Sequence, residues 1–108
     1  MEKYEAHLPG DFEELLGKIN EEFIKLSSNK SEYHSGDFRC AVCVYEKYSW
    51  WHRSFISLTV LMVQNEKELF VSAMYSGGDL TGPGNAHNKL LSRVVKVIEE
   101  YKRAEQTL

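Results

Sequence analysis

The period of apolar and polar positions changes several times along the chain, and each change marks an element. In residues 2–8, Tyr4, Ala6 and Leu8 alternate with Lys3, Glu5 and His7, the period-two pattern of a half-buried strand. Pro9-Gly10 breaks it. Asp11, with Glu14 three residues on, predicts a helix start of the capping-box type. Phe12, Leu15, Leu16, Ile19, Phe23 and Leu26 then recur at helical spacing within a stripe about 80° wide, so one face packs. Ser27-Ser28-Asn29 is expected to end this helix.

The middle of the chain reads as successive strands. Ser31–Ser35 is a short candidate that turns at Gly36-Asp37. Phe38–Tyr48 and Phe55–Gln64 are stronger, and Glu68–Ser76 follows Asn65-Glu66-Lys67, a connection short enough to require an antiparallel hairpin. Residues 76–85 contain Gly77, Gly78, Gly82, Pro83 and Gly84 and read as a flexible crossover, with Gly84 or Asn85 capping a last helix. There Ala86, Leu90, Leu91, Val94, Val97, Ile98 and Tyr101 form a second apolar stripe, with Glu99 and Arg103 spaced i, i+4 on the solvent side. The predicted order is β-α-β-β-β-β-α, with one strand fewer if 31–35 is irregular. Two helices with one apolar stripe each must cover the same face of one antiparallel sheet, which makes residues 1–108 a single α+β domain.

The other sheet face is unusual. Counting apolar side chains on each face puts Phe38, Cys40, Val42, Val44, Ile56, Leu58, Val60, Met62, Leu69, Val71, Ala73 and Tyr75 under the helices. The opposite face then carries Ala41, Cys43, Tyr45, Phe55, Leu61, Val63, Phe70 and Met74 among Arg39, Ser57, Thr59 and Ser72. A solvated face alternates to polar residues and this one does not, which points to a partner or ligand surface. Trp50-Trp51-His52-Arg53, at the end of a hairpin, extends that surface, because Trp and Arg are enriched in binding hot spots.

Composition narrows the function classes. The 108 residues are 43% hydrophobic and 27% charged, an ordinary globular balance. Thirteen basic against sixteen acidic residues give a net charge of −3, which argues against nucleic-acid binding driven by a basic patch. The start Met1–His7 has no apolar segment of the signal-peptide kind. Phe55–Val63, the most apolar run, is interrupted by Ser57 and Thr59 and falls short of the ~20 residues of a membrane helix. A cytoplasmic protein with no membrane association is expected, and two cysteines make no disulfide scaffold.

Candidate chemistry is sparse. Cys40-Ala41-Val42-Cys43 has CxxC spacing, but on a strand residues i and i+3 point to opposite faces, too far apart for a disulfide or a shared zinc. Cys40 is expected in the core and Cys43 on the open face. The glycine-rich segment lacks a Gly-Lys-Ser/Thr sequence to hold phosphate. His7, His34, His52 and His87 are dispersed, and no nucleophile motif accompanies them.

The runs Gly36-Asp37-Phe38-Arg39-Cys40-Ala41-Val42, Val44-Tyr45-Glu46-Lys47-Tyr48-Ser49, Ser57-Leu58-Thr59 and Phe70-Val71-Ser72-Ala73 with Ser76-Gly77-Gly78 resemble a small bacterial domain family of unknown function, found mainly in Gram-positive bacteria. The resemblance implies a bacterial cytosolic protein of this length and brings no substrate or active residue with it. The element order is also similar to that of TATA-binding-protein-like and helix-grip domains, a likeness of fold alone. The expectation is a non-catalytic binding domain, a homodimer through the open sheet face, with candidate interface residues Tyr45, Trp50, Trp51, Phe55, Leu61, Phe70 and Met74. No catalytic, cofactor or metal residue is assigned. The alternatives are a carrier holding an apolar small molecule between sheet and helices and, more remotely, an enzyme using the glycine-rich segment and His87.

Overall fold

The structure, a computed structural model, describes residues 2–50, 53–77 and 86–107, apart from the side chains of Ser49 and residues 86–89. Elements follow the order β1 (Glu2–Pro9), α1 (Phe12–Glu22), β2 (Ser27–Ser35), β3 (Phe38–Ser49), β4 (Ser54–Asn65), β5 (Glu68–Gly77) and α2 (Ala86–Gln106). One antiparallel sheet has the spatial order β1-β5-β4-β3-β2, so the chain crosses from one sheet edge to the other through α1. The α+β prediction holds, with five strands. The glycine-rich segment from Gly78 to Asn85, Trp51 and His52 lie outside the described residues, and with them the expectations placed there.

Both helices lie on one face. Asp11 caps α1 by accepting from the Glu13 amide at 3.3 Å. The helix stops at Glu22, earlier than the apolar stripe suggested, because Ser27, Ser28 and Asn29 are drawn into β2 opposite Glu46, Tyr45 and Val44. Phe23 is still buried and Leu26 half-buried, so the stripe is completed by a turn instead of a helix. At that C-terminus Arg93 of α2 donates to the Glu22 carbonyl at 2.6 Å and to its carboxylate at 2.7 Å, and its guanidinium lies 4.8 Å from the Phe23 ring centroid. A cation there satisfies a carbonyl without a helical partner and complements the helix dipole.

The two helices are also tied at the β1 end. The Asp11 amide donates to the Tyr101 hydroxyl at 2.8 Å, with the Tyr101 ring lying over Gly10, where a Cβ would come within 2.6 Å of it. The Tyr4 hydroxyl donates to Glu99 at 2.5 Å, which makes Glu99 an anchor for the sheet edge instead of a partner for Arg103 on the solvent side. Leu58, Val60, Met62, Leu69, Val71 and Ala73 pack beneath Leu15, Ile19, Val94 and Ile98, and all are buried. No helix among the described residues is long and apolar enough to cross a membrane.

One strand faces the opposite way from expectation. In β3 it is Ala41, Cys43 and Tyr45 that are buried under the helices, while Phe38, Cys40, Val42 and Val44 lie on the open face. Tyr45, expected at an interface, is a core residue whose hydroxyl donates to Asn20 of α1. Arg39, also expected outside, stacks on Phe12 from the helix side and pairs with Glu13. Because β3 is apolar on both faces, alternation cannot choose between them. Register does: Ala41 lies opposite Met62, Cys43 opposite Val60 and Tyr45 opposite Leu58, and paired residues share a face.

Candidate interaction surface

The reversal of β3 makes the open face more apolar than the sequence suggested. Its middle is built from cross-strand neighbours: Val42 opposite Leu61, Cys40 opposite Val63, Val63 opposite Phe70 and Thr59 opposite Met74. Such side chains lie close enough to form a continuous surface. Leu61, Val63, Phe70 and Met74 are half-buried, and Val42 retains 38% of its surface in water.

Aromatic clusters occupy both ends. At the β3–β4 connection, Tyr48 meets Trp50 with ring centroids 5.4 Å apart and Phe55 at 5.3 Å, both edge-on. Trp50 is 83% exposed and Phe55 61% exposed. At the β2–β3 turn, Tyr33 and Phe38 meet edge-on at 6.4 Å. Edge-on contacts of this kind are a favoured arrangement of aromatic rings. A third ring pair, His7 and Phe70 at 4.9 Å, closes the side toward β1.

Polar groups on this face include Thr59 and Glu46 and gather toward the β2 and β1 edges, and several are engaged. Ser72 is buried and donates to Glu5 at 3.2 Å, and the Ser57 and Ser76 hydroxyls meet at 2.9 Å. Lys3 and Glu5 pair at 3.6 Å along the β1 edge. The face has an apolar centre, aromatic ends and a charged margin.

Of the predicted interface residues, Phe55, Leu61, Phe70 and Met74 lie together on this face and Trp50 joins them at one end. Tyr45 belongs to the core, and Trp51 lies outside the described residues. Sequence reasoning missed Tyr33, Phe38, Val42, Val44 and Tyr48. The signal for all but Tyr33 was present: Phe55 faces outward, Tyr48 sits opposite it, and every second residue back from Tyr48 must then share its face.

The covered face offers little chemistry. Cys40 and Cys43 lie on opposite faces of β3, as the strand reading required, with their burial exchanged: Cys43 is 1% exposed and Cys40 half-buried on the open side. Burial pushes up both the Cys43 thiol and the Tyr45 phenol, so neither is an activated nucleophile. A cleft of about 240 Å³ lies beside them, lined by Asn20, Phe23, Ile24, Lys30 and neighbours. A larger concavity of about 610 Å³, shallow and open, lies at the β4–β5 turn end of the sheet, where its lining includes His7, Val63 and Phe70 of the open face. His7 and His34 are far apart in the sheet order, on β1 and β2. Among the described residues, no three His, Cys, Asp or Glu side chains gather as a metal site would require.

Among curated proteins none matches the chain in sequence. Residues 1–102 match a family of unknown function (DUF6054), so the resemblance noted in the sequence has a definite counterpart and the chain belongs to that family.

Proposed function

We propose that this domain acts by binding and not by catalysis, and that its open sheet face docks a second copy of the same chain. The observation that carries this reading is the extent of apolar surface left in water. At about 200 Å² per aromatic side chain, the exposed fractions of Tyr33, Phe38, Tyr48, Trp50 and Phe55 amount to roughly 550 Å², before the aliphatic side chains between them are counted. That alone approaches the upper range for the largest apolar patch on a monomer, about 600 Å². It is also about two-thirds of the ~800 Å² that each partner contributes to a stable interface. Twofold pairing supplies a matching surface without a second gene product and is the commonest symmetry of soluble oligomers.

The carrier reading is less well supported. The cleft between α1 and the sheet, at about 240 Å³, is below the ~300–1,000 Å³ of small-molecule pockets, and the core beside it is filled. Sedimentation tests the proposal. Wild type is expected to be dimeric or larger at tens of micromolar, and Phe55→Glu/Phe70→Glu to associate at least tenfold more weakly. A wild type that stays monomeric at hundreds of micromolar rules out self-association. Association untouched by both charges places it elsewhere on the molecule.

A further inference from the structure

The open face is not the only surface suited to a second copy. Strand β2 forms one edge of the sheet, and all nine of its residues, Ser27–Ser35, are exposed on both faces. It contains no proline, pairs with β3 without interruption and is covered by no other element among the described residues. Natural sheets shorten, bend, cover or charge such edges, because a long straight one is a template for another strand; the charges of β2, Lys30 and Glu32, are of opposite sign and two residues apart.

Its hydrogen-bonding groups follow from the turn beside it. Ser35 and Phe38 flank the two-residue turn Gly36-Asp37, with Gly36 at φ +58°, so they form a hydrogen-bonded pair. Pairs then alternate along the ladder. Ser35, Tyr33, Ser31, Asn29 and Ser27 direct their amides and carbonyls to β3, whereas His34, Glu32, Lys30 and Ser28 direct theirs to the free edge.

We infer that β2 pairs antiparallel with β2 of a second copy, on a twofold axis through Ser31. Residues facing each other in such a ladder share a face, so the axis must pass through a residue and not between two. An axis at Lys30 or Glu32 sets that charge against its own copy, which is unfavourable. An axis at Asn29 or Tyr33 leaves only residues 27–31 or 31–35 paired. At Ser31, the midpoint of the strand, all nine residues pair and Lys30 lies opposite Glu32 twice, once on each side of the axis. Lys30, Glu32, Ser28 and His34 are also the residues whose backbone groups face outward, so hydrogen bonding and charge select the same register. The product is a ten-stranded sheet whose twofold axis is perpendicular to it. This contact is independent of face-to-face docking, whose axis lies along the sheet; the two together close into a tetramer only where their axes intersect at right angles.

Charge reversal tests the register, in wild type and in the Phe55→Glu/Phe70→Glu background, where the open face is disabled. Lys30→Glu and Glu32→Lys alone each place like charges opposite one another and should weaken edge association about tenfold or more. An equimolar mixture of the two variants places opposite charges in both pairs and should recover it. Two variants that each associate as wild type does, or a mixture that stays as weak as its components, would overturn the inference. A second measurement does not depend on affinity. In a Cys40→Ser background, Ser31→Cys brings two thiols onto the axis at a Cα separation of about 4.5 Å, within disulfide range. It should cross-link between chains on mild oxidation, with Asn29→Cys in the same background as the control. Cross-linking of Asn29→Cys in preference to Ser31→Cys would refute the Ser31 register. Loss of the face contact with the edge contact retained removes the open-face proposal and leaves this one standing, and the reverse result does the opposite.

Discussion

The orientation of β3 has a direct test in the two cysteines. Cys43 is 1% exposed, opposite Val60 and beneath α1, whereas Cys40 sits half-buried on the open face opposite Val63. Replacing either with serine changes one atom and nearly preserves shape, so the difference reports the environment and not the size of the group. A hydroxyl placed in an apolar site without a partner costs about 1–3 kcal/mol in proteins. The Cys43 thiol interacts with the Tyr45 hydroxyl, which already donates to Asn20 and can only accept from it, so the lower end applies if the new hydroxyl keeps that contact. Cys43→Ser should therefore lower stability by about 1–3 kcal/mol, equivalent at about 4–8 °C per kcal/mol to a fall in Tm of roughly 4–24 °C. Cys40→Ser should stay within about 0.5 kcal/mol in the monomer, as surface substitutions do. Urea unfolding followed by circular dichroism at low micromolar protein, or in the Phe55→Glu/Phe70→Glu background, separates the two. A shift in midpoint at constant m isolates stability. If Cys40→Ser costs more than Cys43→Ser, β3 faces the other way and the open-face argument loses its central strand.

Two further outcomes follow from the ties between helices and sheet. Tyr101→Phe removes the bond from the Asp11 amide and should cost about 0.5–1.5 kcal/mol. Gly10→Ala should cost more, because φ is +153° and the new Cβ meets the Tyr101 ring; chemical denaturation ranks the pair, and a neutral Gly10→Ala would contradict the packing described. In alkali, the Tyr4 phenol is pushed up to about 12, first by burial and then by its bond to, and the charge of, Glu99. Burial also raises Tyr45, Tyr75 and Tyr101. A phenol that holds its proton more tightly folded than unfolded contributes stability that is complete below about pH 10 and lost as pH rises through the folded value. Tm should therefore fall between about pH 10 and 12, less steeply in Tyr4→Phe, and an identical slope in that variant would remove Tyr4 from the account.

How much was legible in the sequence differs from element to element. Strand β1 has one apolar side, Tyr4, Ala6 and Leu8, and only one way to face, and the structure agrees. The β4–β5 hairpin was legible as a hairpin, but its turn is the two residues Glu66-Lys67 and not the three expected, because Asn65 joins β4 opposite Glu68. The end of α1 was not, since Phe23 and Leu26 keep helical spacing after the helix has stopped, and periodicity does not distinguish a helix from a turn that buries the same side chains. Strand β2 was half visible. Its polar residues carry no alternation to read, and the strand exists because β3 offers a ladder, not because of its own pattern.

The misplacement of β3 arose because apolar content was used to choose a face where only connectivity can. The outward choice for Phe55 was correct, and with Tyr48 opposite it the same choice was forced on Val44, Val42, Cys40 and Phe38. A strand that is apolar on both sides is ordinarily one buried on both sides, as in a sheet sandwiched between layers. Here both helices cover one face, so the second apolar side of β3, continued by Leu61, Val63, Phe70 and Met74, has no cover within the described chain. The property that made β3 hard to orient is thus the same property on which the proposed partner rests. Its ambiguity in sequence and its exposure in the fold have one physical origin, two faces that both favour burial and one monomer that supplies a single layer of helices.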